Sequence, residues 1–235
     1  ADQGFEAEKL KVMPRGIDLN RFHHEQGDAD FLSRFGAGDK FTFVYVGRVS
    51  REKNVEALLE TFVEFRKRDH DAQLVIVGDG PQFAELQDRY RRDDIIFTGF
   101  LDGDDVARAY TACDCFVFPS TTDTFGNVVL EAQACGVPVI VSDQGGPREI
   151  VESTDSGIVV DIDHPGELLD AMTRVYADDN LRAVLRQRGI ENAANSGWDE
   201  AFAAFWEGVD REEASNVGEQ GAALSSTSQP MPSIA

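Results

Sequence analysis

Six short apolar runs alternate with stretches of helical periodicity, and that alternation narrows the chain to one fold class. The runs are FTFVYVG at 41–47, QLVIVG at 73–78, DIIFTGF at 94–100, CFVFP at 115–119, VPVIV at 137–141 and GIVVD at 157–161. None of them alternates apolar with polar residues, as a strand wet on one face would. Continuous apolar strands separated by helices read as an α/β domain with a six-stranded parallel sheet covered on both faces. Residues 54–68 place Val55, Leu58, Leu59, Phe62 and Phe65 on one helical face, with Asn54 as N-cap. Further helices are expected over 82–91, over 105–112 with Asp104 as cap, and over 127–135. Sheets of this kind bind ligands beyond the carboxyl ends of their strands, near a switch in strand order. Gly47-Arg48, Gly78-Asp79-Gly80, Gly99, Pro119-Ser120 and Asp143 gather at those ends.

Residues 164–195 read as two more helices, and WDEAFAAFWEGVDREE as a third. Trp198, Phe202, Phe205 and Trp206 give that last helix an aromatic face, either buried within a small domain or docked on a partner domain. From 212 to 235 the chain is Gly, Ser, Ala, Gln and Pro with few apolar anchors, and reads as a disordered tail. A formal charge of -21 argues against general nucleic-acid binding, which needs a basic footprint. A local basic pocket can still sit inside an acidic surface. No apolar run approaches the roughly 20 residues of a membrane-spanning helix, and no secretory signal is present. Cys113, Cys115 and Cys135 read as buried free thiols of a reducing compartment, hence a cytoplasmic placement. Cys113 and Cys115 are too close for a zinc pair, and the four histidines are scattered, so no metal is expected.

Two charged constellations carry chemistry. Gly47-Arg48-Val49-Ser50-Arg51-Glu52-Lys53 runs from a strand end into a helix start. Arg48 can fork onto phosphate oxygens and Lys53 can add a point charge, beside free helix N–H groups. A lysine there opposes the helix dipole, which weakens a purely structural role; Arg51 reads as solvent-exposed. Neither the Walker loop nor the dinucleotide glycine fingerprint is present. The second constellation is Asp123, in the loop after CFVFPS, and Glu131, on the helix that follows Phe125-Gly126. The helix start at Gly126, Asn127 and Val128 offers N–H donors. Glu131 can accept from both hydroxyls of a ribose and Asp123 from those of a sugar. Glu131 is set among Leu130, Ala132 and Ala134, and a buried carboxylate needs partners. Together these are both halves of a site for an anionic nucleotide sugar.

In order and spacing, PRGIDLNRF at 14–22, GRVSREK at 47–53, VIVGDGP at 75–81, IIFTGF at 95–100, DTFGNVVLEAQACGVPVI at 123–140 and GGPREIV at 145–151 resemble the C-terminal, donor-binding half of a family 4 glycosyltransferase of the GT-B fold. The resemblance covers roughly 10–210. It implies a Rossmann-like domain over 25–196, a segment 1–24 leading in from an N-terminal domain, and a crossover helix over 197–211 before the tail at 212–235. It implies transfer of a sugar from a UDP-sugar or GDP-sugar, with retention and without an obligatory cofactor. Arg48 and Lys53 would bind the diphosphate, Glu131 the ribose, and Phe125, Gly126, Asn127 and Val128 the sugar and phosphates. Thr98, Gly99 and Phe100 would border the base, Gly47 and Gly78 the phosphate cleft, and Gly16 the lead-in side. Asp123 stands where the family usually has glutamate in a Glu-x7-Glu pattern, and Arg15 where asparagine is common. The partners implied are the N-terminal acceptor-binding domain and a sugar, glycan or lipid acceptor. Peripheral contact with the inner face of a membrane would come through that domain. The resemblance leaves the fragment alone with little transfer activity. A non-catalytic binding module and a nucleotide-sugar epimerase of the same layout are the alternatives.

Overall fold

The computed structural model of the chain describes residues 16–25, 27, 28, 30–203 and 206. They fall into two compact units: residues 17–197, and a smaller one to which Gly16, 198–203 and Trp206 belong. The larger unit is built on six strands, β1 (Phe41–Val46), β2 (Ala72–Val77), β3 (Ile95–Gly99), β4 (Cys115–Phe118), β5 (Val139–Ser142) and β6 (Gly157–Val160). They form one parallel sheet in the order β3-β2-β1-β4-β5-β6. The register is unbroken between β1 and β2, from Phe41 opposite Ala72 to Val46 opposite Val77. The chain builds outward from β1 to β3, then returns to place β4 on the other side of β1. The β1/β4 seam is therefore the switch point, where loops diverge and leave a crevice. β2, β4 and β5 are buried along their whole length, which is why their sequences show no polar alternation.

Helices α1 (Val55–Arg66), α2 (Phe83–Arg89), α3 (Gly103–Thr111), α4 (Asn127–Ala134), α5 (Gly146–Glu152), α6 (Pro165–Ala177) and α7 (Asp179–Ala194) connect and cover the sheet. α1 buries the expected stripe of Val55, Leu58, Leu59, Phe62 and Phe65. α4 packs on α7, where a buried polar network ties them together. Gln133 donates to Ser156 Oγ at 2.7 Å and accepts from Asn192 Nδ2 at 2.8 Å. Fully satisfied, such a network fixes the pose of α4 rather than weakening the core.

Asn54 stands at the N-cap position of α1, as expected, and the cap of α3 differs from the expectation. Asn54 does not cap α1 with its side chain. It takes a left-handed conformation (φ 53°) after the 3-10 turn Arg51–Lys53, a conformation asparagine tolerates better than most residues. Its side chain donates instead to the Pro119 carbonyl oxygen at 3.1 Å, tying the Lys53 turn to the end of β4. Asp102, not Asp104, caps α3, accepting from the Asp105 N–H at 3.2 Å; Asp104 lies in the first turn and pairs with Arg21 at 2.9 Å. GGPREIV, read as a motif alone, forms the short helix α5. In the smaller unit, Trp198 and Phe202 pack at 6.2 Å between ring centres, and both remain about half exposed. Phe205 and the tail at 212–235 lie outside the described residues.

Candidate functional site

The carboxyl ends of β1 and β2 are drawn together by backbone. Gly47 N–H donates to the Val77 carbonyl, and Val49 N–H to that of Asp79, both at 3.0 Å. The approach is so close that a Cβ on Gly78 would lie 1.9 Å from the Gly47 carbonyl oxygen, and one on Gly80 2.4 Å from that of Val49. Gly47 and Gly78 are thus first of all requirements of packing. They carry the chain over the sheet edge and expose Arg48, whose guanidinium forms no ion pair among the described residues. Arg48 borders two clefts. One, of about 310 Å³, is lined with Gly47, Gly78, Asp79, Phe100 and Leu101. The other, of about 360 Å³, is lined with Ser50, Arg51, Glu52, Gln82 and Glu85. Arg51 is exposed, as expected.

Lys53 and Asp123, assigned by sequence to opposite halves of the site, touch. Lys53 Nζ pairs with Asp123 Oδ2, and Ser120 Oγ donates to the same oxygen at 2.6 Å. The Lys53 ammonium also lies 5.9 Å from the centre of the Phe118 ring, within cation–π range. Both charged side chains are largely covered, at 18% and 25% exposure. Ser120, fully buried at the end of β4, was noted only as a strand-end residue, and nothing in its spacing marked it as the carboxylate's partner. The loop carrying Asp123 is clamped by the start of α5: Gly146 N–H donates to the Asp123 carbonyl at 2.9 Å. A Cβ on Gly146 would sit 2.2 Å from the Thr124 carbonyl oxygen. The Gly-Gly-Pro run was the signal for that clamp.

Glu131 sits on α4, directly after this loop, and is partly buried. Its carboxylate accepts no hydrogen bond among the described residues. Burial pushes its pKa up to about 7, with nearby Arg21 acting in the opposite sense. α4 opens at Gly126 in the left-handed region (φ 70°), with Pro147 3.0 Å from where a Cβ would stand. Its first turn leaves N–H groups without intrahelical acceptors. Asn127 Oδ1 is buried there without a hydrogen-bond partner. The Val128 carbonyl accepts from the Tyr110 hydroxyl at 3.2 Å. Phe125 and Phe100 project at 51% and 79% exposure. Gly99 is left-handed (φ 77°), and the Thr98 hydroxyl bonds within its own strand end, to the Gly99 carbonyl at 2.9 Å.

Arg48, Lys53, Asp123 and Glu131 therefore all stand on segments leaving the carboxyl ends of β1 and β4, the two strands that flank the switch point. Gly16 belongs to the smaller unit, where a Cβ would come within 2.6 Å of the Trp198 Cα. Among the described residues, no cluster of His, Cys, Asp or Glu could hold a metal ion. Cys113, Cys115 and Cys135 are free, and burial raises all three thiols above their usual range.

Residues 31–192 match the family described as glycosyl transferases group 1. A GDP-mannose-dependent alpha-mannosyltransferase of Corynebacterium glutamicum is 34% identical over 186 residues, covering 79% of this chain and 43% of its own length. The chain thus spans less than half of that relative. Among solved structures, the sucrose-phosphate synthase of Thermosynechococcus elongatus superposes with a TM-score of 0.74 at 28% identity, covering 87% of this chain and 53% of that one. The C-terminal domain of a glycosyl transferase group 1 family protein from Francisella tularensis superposes with a TM-score of 0.68 at 23% identity, covering 77% of this chain and 97% of that one. This last likeness is one of fold.

Proposed function

We propose that this chain, which belongs to the glycosyl transferases group 1 family, is the nucleotide-sugar donor-binding half of a retaining, family 4-type glycosyltransferase. The observation that carries the reading is the Lys53–Asp123 pair at the β1/β4 switch point, a cation and a carboxylate held side by side at the place where sheets of this kind bind ligands. A sugar attached to a diphosphate needs that juxtaposition: positive charge for the phosphates, and an acceptor oxygen for the adjoining hydroxyls.

In the transfer, the bond from the anomeric carbon to the diphosphate breaks as one to the acceptor oxygen forms, and the acceptor hydroxyl's proton passes to the departing diphosphate. Negative charge builds on the departing diphosphate. Arg48, Lys53 and the opening N–H groups of α4 would stabilise it, because they are in place before the reaction starts. Glu131 would accept from the ribose, Asp123 from the transferred sugar, and the Phe100 side of the β3 end would border the base. The donor is a UDP- or GDP-sugar; the GDP-mannose dependence of the mannosyltransferase relative supports the second. No metal or cofactor enters this scheme. The acceptor, whether sugar, glycan or lipid, would be held by a separate N-terminal domain. No described helix is long and apolar enough to cross a membrane. A cytoplasmic enzyme meeting the membrane through that other domain fits the reading.

Calorimetric titration of the chain with UDP, GDP, UDP-glucose and GDP-mannose tests the proposal. Binding of at least one nucleotide sugar, weakened about tenfold or more in Arg48→Ala, is expected from loss of a charge-assisted phosphate contact. Absence of binding across the series would remove the reading.

A further inference from the structure

We propose that Ser120, acting with Lys53, is a positioning residue that reserves a single oxygen of Asp123 for the transferred sugar. The inference deepens the donor-binding reading and rests on it. Ser120 Oγ and Lys53 Nζ converge on one and the same oxygen, Oδ2. Oδ1 accepts no hydrogen bond among the described residues. An aspartate carboxyl group otherwise rotates broadly about its last torsion, and either oxygen can serve. Here two donors on one oxygen hold that torsion and leave one defined acceptor edge.

Both donors are themselves fixed. Ser120 has no exposed surface and follows the β4 end, where the Pro119 carbonyl is bonded by Asn54. That bond also ties β4 to the turn carrying Lys53. Asp123 is anchored through its own carbonyl by Gly146. The carboxylate is thus oriented from three directions: the β4 end, the β1 loop and the α5 start.

The consequence is chemical. A carboxylate with both oxygens free grips two neighbouring hydroxyls and tolerates small changes in their arrangement. One with a single open oxygen reads one hydroxyl in one direction. Ser120 therefore sets discrimination among sugars and not the grip on the diphosphate, which falls to Arg48, Lys53 and α4.

The test compares, for the same chain, binding of a nucleoside diphosphate with binding of the corresponding nucleotide sugar, by calorimetry. The quantity read is the ratio of the two affinities. In Ser120→Ala, binding of the plain nucleoside diphosphate should stay within about twofold, whereas the sugar's contribution should fall by about tenfold, the size of a hydrogen bond to a charged group. Ser120→Thr, which keeps the hydroxyl, should restore most of the ratio. In an Asp123→Asn background, Ser120→Ala should change the ratio no further. Should Ser120→Ala not fold, Ser120→Cys, close in shape and a weaker donor, carries the same comparison. Equal weakening of both ligands, an unchanged ratio, or full additivity with Asp123→Asn would overturn the inference. If the wild-type chain bound neither ligand, the donor reading itself would fall, and this inference with it.

Discussion

The Tyr45 hydroxyl donates to the carbonyl oxygen of Arg48 at 2.8 Å. Tyr45 is fully buried in β1, its ring stacked on Phe118 of β4 at 5.9 Å between centres. The phenol thus props the Arg48 loop from beneath, across the switch-point seam. Burial, with the Asp123 and Glu52 charges nearby, pushes its pKa up, so it remains a donor. Tyr45→Phe would leave a carbonyl without its partner, at a cost of about 1–2 kcal/mol. The urea midpoint should fall accordingly, and nucleoside diphosphate affinity should drop several-fold because the guanidinium loses its fixed base. A lower midpoint with unchanged affinity would limit the hydroxyl to stability.

Gly78→Ala should be far more damaging than its size suggests. The residue holds φ 130°, and the added carbon would lie 1.9 Å from the Gly47 carbonyl oxygen. Each backbone is held by its own bond, Gly78 N–H to the Gly99 carbonyl at 2.9 Å and Gly47 N–H to the Val77 carbonyl at 3.0 Å. A loss of about 3 kcal/mol or more, or failure to fold, is expected from combined strain and overlap. Gly38→Ala, where nothing lies within 4 Å of the new carbon, is the control. Similar urea midpoints for the two would contradict the close approach.

Asp94 joins the start of β3 to α1. It accepts from Arg92 at 2.7 Å and from Arg66 at 2.8 Å. The Arg92 bond, opposed by burial and reinforced by Arg66, holds its carboxyl down at about 2. A depressed carboxyl stabilises the fold above its unfolded value near 4, and that contribution fades as pH falls through about 2. Asp94→Asn should cost about 1–2 kcal/mol at pH 7, allowing for solvent screening. The difference in urea midpoint from wild type should narrow steadily below pH 4. A difference independent of pH would show that the charge is not what matters.

The sheet was legible because parallel strands buried on both faces have no choice but to be continuously apolar, as LVIV in β2 and CFVF in β4 are. The α1 stripe was legible for the same reason at a different period. The Lys53–Asp123 contact was not, since 70 residues separate the pair and only the reversal at β1/β4 brings them together. Asn54 occupies the N-cap position that its pattern marks, but asparagine favours side-chain caps and left-handed turns alike, and local pattern does not show that its amide turns to Pro119 instead. Ser120 carried a strand-end signal and nothing more. Its meaning lies in a carboxylate three residues on, and in the lysine that shares it.

Glu131 links the stability of the chain to its proposed ligand through pH. Its pKa, raised by burial from 4.5 to about 7, means that the folded chain holds this proton more tightly than the unfolded one. The group's favourable contribution is complete below about 4.5 and is lost as pH rises through about 7. Glu131→Gln, neutral at every pH, should match wild type below pH 4.5. It should be more stable at pH 8 by about 1–3 kcal/mol, reduced by the residue's partial exposure. Ligand binding should run the other way. A ribose diol needs the ionised carboxylate as acceptor, so nucleotide-sugar affinity should rise between pH 6 and 8 in wild type. In Glu131→Gln it should be weaker and flat. Urea midpoints and calorimetric titrations at both pH values read the two effects. A variant more stable at pH 8 that binds as tightly as wild type would leave Glu131 a buried acid with no ligand to hold.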